Sequence, residues 1–166
     1  MTHHPDNFWP AFIAIYAITF GFTMLIILGY YVVMAIALSR FFAKVGVEPW
    51  IGWVPIYGYW KWLEVGGQAG ALSLLMLVPY AHFVTTIFLY IGMYRTGIAF
   101  RKDGAFLVLG IFLPFVWCFM LASGAEVYRP ELITQAGFRP PLAGYGSAAG
   151  AKTPPNAPPP PAAPAA

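Results

Sequence analysis

The sequence predicts an all-α, polytopic helical membrane protein with four transmembrane helices, alternatively three, an aromatic interfacial segment and a disordered C-terminal tail. Three observations carry that prediction. Asn7 to Ser39, Val65 to Tyr94 and Gly104 to Ala125 contain no Lys, Arg, Asp or Glu. Hydrophobic residues make up 60% of the chain and charged residues 9%. Ten of the sixteen prolines fall in the final 37 residues. A helix crosses a bilayer core of about 30 Å with roughly 20 apolar residues, so the first run is long enough to span. A soluble domain of this length would not absorb all three runs.

The helical membrane domain is expected over residues 1–128, with its first span at about 11–38. Trp9 and Pro10 stand at the entrance of that span and Arg40 and Lys44 at its exit, as interface anchors do. No Lys or Arg precedes Arg40, the apolar stretch outruns a signal-peptide core, and Ala35-Ile36-Ala37 is a poor cleavage site. The first block therefore reads as a retained anchor.

Residues 49–63 are too short to span and too aromatic for a plain linker. Trp50, Trp53, Tyr57 and Trp60 recur at helical spacing, and Pro49 and Pro55 can each open a helical turn. The segment is expected to lie flat at the headgroup boundary as an aromatic belt, with a lipid or partner groove as the alternative.

From Val65 through Phe100 one helix would be roughly 54 Å long, far beyond the apolar core. A reversal near Pro79-Tyr80-Ala81-His82 divides it into spans at about 65–81 and 83–100. Charge favours the division. Arg40, Lys44 and Lys61 precede the middle block and Arg95, Arg101 and Lys102 follow it; two crossings between them put all six on the cytoplasmic side and the N-terminus outside. The last span is expected at about 104–125, kinked by Pro114. The tail over 129–166, ending Ala-Pro-Pro-Pro-Pro-Ala-Ala-Pro-Ala-Ala, is too rich in Pro, Ala and Gly to bury a core and reads as partly polyproline II.

Candidate sites are few. His82 is titratable within an apolar region, which makes it a functional candidate by default, although at an outer turn an imidazole simply faces water. Glu64 with Gly66, Gly67 and Gln68 places a carboxylate and flexible backbone at the mouth of a cavity, or else marks a loop ending where the next helix begins, with Gly66 and Gly70 permitting close helix approach. Lys102-Asp103-Gly104 reads as a polar turn, and Cys118, the single cysteine, as a packing thiol. His3 and His4 lack a second ligand cluster at metal-site spacing, so no metal or other cofactor is expected. The net charge of +3 sits mainly in loops, where it sets topology and does not point to nucleic acid. No P-loop, GxGxxG, HExxH or GxSxG is present, and no enzymatic activity is expected.

Between Lys44 and Trp117 the succession Lys44-Val-Gly-Val-Glu-Pro-Trp, Trp53-Val-Pro-Ile-Tyr, Leu63-Glu-Val-Gly-Gly-Gln, Val78-Pro79, Lys102-Asp-Gly-Ala-Phe and Leu113-Pro-Phe-Val-Trp resembles the DUF5684 family of small bacterial membrane proteins. The chain departs from the family's pattern at Gly58 and His82, where relatives commonly carry Asn. The resemblance implies a multi-pass protein of the bacterial cytoplasmic membrane. It brings no activity: relatives are labelled "large exoprotein" or are joined to signal peptidase I.

Three functional readings follow. The first is a non-enzymatic scaffold or accessory subunit whose partners are the lipid bilayer and other membrane proteins or copies of itself. The second is a small transporter or channel subunit, oligomeric, with His82, Thr85, Thr86 and Gln68 lining a watery face. The third, an accessory role beside signal-peptidase-type secretion processing, rests on the resemblance alone.

Overall fold

The computed structural model describes residues 8–145; His3, His4 and the Ala/Pro-rich end of the chain lie outside them. The described residues form helices joined by turns and irregular stretches, without strands, and the chain divides into a unit up to Met34 and a second from Ala35.

The described part of the first unit is a single helix. Helix α1 runs Phe8–Val45 for 38 residues, about 57 Å at 1.5 Å per residue, and its most apolar 18-residue window has no buried residue. Among the described residues it is the one helix long and apolar enough to cross a membrane. Its last turns, from Ala35, belong to the second unit, where Ala37, Leu38, Phe41, Phe42 and Val45 are buried.

The second unit is built of short pieces. A 3-10 turn, Pro49–Trp53, and helix α2, Pro55–Val65, each open on a proline, which has no N–H to leave unpaired there. The aromatic segment thus folds as expected at both prolines, but it does not merely lie on a surface: Gly58, Trp62, Leu63 and Val65 face the core. Helix α2 ends in a Schellman cap, with Gln68 N–H donating to Leu63 O at 2.9 Å and Gly67 N–H to Glu64 O at 3.0 Å. Gly67, at φ +71°, occupies the left-handed position that this cap requires.

The expected α-helical span over 65–81 is not formed. After the cap the chain runs into a 3-10 helix, Gly70–Leu77, about 16 Å long at 2.0 Å per residue, roughly half a bilayer core. Gly66, Gly67 and Gly70 interrupt its start, and Pro79 prevents its continuation. The reversal itself is where the sequence places it: Tyr80 takes a left-handed φ of +66°, and α3, His82–Ala99, follows closely on the expected 83–100.

The expected span over 104–125 is also divided. Asp103 caps α4, Gly104–Phe112, by accepting the Phe106 N–H at 3.2 Å. Leu113, barred from helical geometry by the following proline, stands at φ −135°, ψ 68°, and Pro114 opens α5, Pro114–Leu121. The Phe106 and Trp117 rings are 6.1 Å apart, although eleven residues on a straight helix advance about 16 Å, so the chain turns at this break.

Nor is 129–145 a disordered tail. Helix α6, Glu131–Gln135, buries Ile133, and Arg129 N–H donates to Ala99 O at 2.9 Å. The core gathers around Trp117, whose ring centroid lies 5.6 Å from Phe41 and 6.2 Å from Trp62.

Candidate functional site

The densest polar arrangement surrounds the exposed edge of α2. Tyr57, Lys61 and Glu64 recur at steps of four and three, one side of the helix. Glu64 uses both carboxylate oxygens: Trp60 Nε1 donates to Oε1 at 2.7 Å and Lys61 Nζ to Oε2 at 2.7 Å. Lys61 Nζ also lies 5.8 Å from the Tyr57 ring centre, within cation–π range. The Glu64 carbonyl, already part of the helix cap, accepts Leu142 N–H at 2.8 Å and so ties the 138–145 segment to α2.

That segment and the residues after α1 enclose an open pocket of about 420 Å³, lined by Glu48, Tyr57, Lys61, Leu142, Gly144 and Tyr145 among others. One acid, one base and two phenols face it. Tyr128 fixes its far wall by donating its hydroxyl to Gly144 O at 2.9 Å. Desolvation pushes that phenol well above its ordinary value of 10.0, helped by the Glu131 carboxylate and by Tyr145, so it remains a donor throughout the neutral range. On the other side of the α2 cap, Arg95 Nη1 lies 3.5 Å from Gly67 O, with its guanidinium 5.2 Å over Phe138.

The candidates named from sequence separate into two places. Glu64 belongs to the α2 cluster, and Gln68 is half-buried in the adjoining cap. Trp50 and Tyr57 pair at 6.1 Å and both are exposed, as is Trp53. Trp60 leaves that row; it is half-buried, bonded to Glu64, and its indole packs where Gly70 has no side chain. His82 stands apart, exposed at the start of α3 with its ring 4.1 Å from that of Phe83. Thr85 does not line an open face with it: it is buried, its hydroxyl donating to Leu72 O at 2.6 Å, while Thr86 bonds back to His82 O. Among the described residues no three His, Cys, Asp or Glu side chains group as metal ligands.

Sequence reasoning missed Arg95 and the wall formed by 142–145. The three-residue spacing of Lys61 and Glu64 was visible. Nothing in the composition of a Pro-rich stretch, however, announced that Phe138 and Leu142 return to α2.

The sequence model of DUF5684, a family of unknown function, matches residues 50–129. No curated protein and no solved structure matches the chain.

Proposed function

From the membership of residues 50–129 in DUF5684, a family of unknown function, we propose that the chain works as a non-enzymatic scaffold or accessory subunit of the bacterial cytoplasmic membrane. The observation that carries this reading is the open pocket on the α2 edge. Its wall continues into the exposed Trp50–Tyr57 pair, a combination of aromatic surface and satisfiable polar groups suited to holding a partner's extended segment. Helix α1, apolar and exposed from Phe8 to Tyr30, supports an anchor in lipid. Glu64 and Lys61 are turned toward each other, which suits them to shaping the pocket rather than to proton transfer.

A photo-crosslinking side chain in place of Tyr57, introduced in the full chain in its native membrane, tests the reading. A discrete adduct with one membrane protein or with a second copy is expected, and it should weaken in Lys61→Ala. A chain that purifies in mild detergent as a solitary monomer, without adducts, contradicts it.

A further inference from the structure

The four most exposed large apolar side chains of the second unit all sit at two turns. Leu77 (65%), Tyr80 (83%) and Phe83 (60%) surround the reversal between the Gly70–Leu77 3-10 helix and α3, and Phe112 (77%) marks the break between α4 and α5. Val78, Ile111 and Leu113 beside them are exposed as well. Neither hairpin carries a Lys, Arg, Asp or Glu between residues 65 and 94 or between 104 and 125.

Charge collects at the opposite, open ends of the hairpins, and hydrogen bonds draw those ends together. Lys102 Nζ pairs with Glu126 Oε1 at 2.6 Å, joining the start of α4 to the chain after α5. Lys44 Nζ donates to Ser123 O at 3.0 Å. Arg95 reaches the Gly67 carbonyl, where the first hairpin begins. Each hairpin therefore has one charged, bonded end and one greasy, uncovered end.

Length decides how far such hairpins reach. Gly66 and Gly92 meet backbone to backbone, which sets the base of the first hairpin level with Gly92. From there to His82 is ten residues of α3, about 15 Å. The 3-10 helix rises about 16 Å, α4 about 14 Å and α5 about 12 Å. The hydrocarbon of a single leaflet is about 15 Å deep, half the core.

We propose that both turns dip into one leaflet of the bilayer and return to the side they came from, with the Leu77, Tyr80, Phe83 and Phe112 side chains among the acyl chains and the charged collar at the headgroups. This rests on the membrane reading above and replaces three crossings, 65–81, 83–100 and 104–125, with two re-entrant hairpins. Unpaired backbone is costly in hydrocarbon, and hydrogen bonds run through both bends: Val78 N–H donates to Leu75 O, Ala81 N–H to Val78 O and Leu113 N–H to Leu109 O.

Single substitutions Tyr80→Cys, Phe112→Cys and Ser123→Cys in the full chain test it in vesicles, with the unmodified chain as blank because Cys118 is buried. An impermeant maleimide is expected to modify Ser123→Cys from one side and neither tip from either side. A fluorophore attached to the tips is expected to be quenched several-fold more by lipids brominated on their acyl chains than by aqueous iodide, with the reverse at position 123. A tip modified from the side opposite Ser123→Cys means a full crossing, and one modified from the same side means a tip in water; either overturns the proposal. Protection without quenching by brominated lipid means that a second copy covers the tips, which also overturns it. Failure of the unmodified chain to float with the vesicles defeats the membrane reading itself, a result distinct from all of these.

Discussion

Gly66 and Gly92 pack backbone to backbone in the second unit, and their roles are unequal. A Cβ on Gly66 would run into the Gly92 Cα and carbonyl, whereas a Cβ on Gly92 would rest 3.4 Å from Gly66 Cα in ordinary contact. Gly66→Ala is expected to cost about 1–3 kcal/mol through forced backbone displacement, and Gly92→Ala much less. Thermal unfolding in detergent compares the two, and equal losses would contradict the packing. Tyr128 supplies a pH dependence. Its native phenol resists ionisation while the unfolded one ionises near 10, so its contribution is whole below pH 10 and declines as pH rises beyond it. Tyr128→Phe should flatten stability against pH in that alkaline range and lose about 1 kcal/mol at neutral pH with the bond to Gly144. At this scale the sequence was informative where one residue has a local duty, as with Pro49, Pro55, Asp103 and Pro114. It was silent where the duty depends on a distant neighbour, as with Arg95 over Phe138.

Among the elements, α1 and α3 were legible because each is a continuous run with a marked end. The 65–81 segment was not, since an apolar run gives no sign by composition alone of whether it winds as an α-helix or a 3-10 helix. Pro114 was read as a kink, but its effect on Leu113 was underestimated: displacing the preceding residue from helical geometry turns one span into two helices. The 130–145 part of the tail was misread because its prolines outweighed Leu132, Ile133, Phe138 and Leu142, apolar residues that give it a face to bury. Ile133→Ala is expected to destabilise the second unit by about 2–5 kcal/mol and to open 130–145 to limited proteolysis. An unchanged digestion pattern and unchanged unfolding would show that α6 does not hold this segment in place.

At the scale of the molecule, segregation of charge is the organising fact. Apart from Asp6 ahead of α1, the charged residues lie between Arg40 near the end of α1 and Glu64 in α2, in the collar of the hairpins and in the segment beyond α5, while most of α1 and the two hairpin tips leave large apolar side chains uncovered. Water would penalise those surfaces in proportion to their area, and the pieces that bear them are too short or too solitary to bury them against one another. Lipid removes that penalty, and the proposed scaffold role, the pocket by α2 and the re-entrant hairpins all depend on it. The most direct test is to produce the full chain without detergent or bilayer and examine it by size-exclusion chromatography and circular dichroism. Aggregated material that becomes helical and monodisperse only when detergent or lipid is supplied is the expected result. A folded, monodisperse species in plain buffer would contradict the membrane reading.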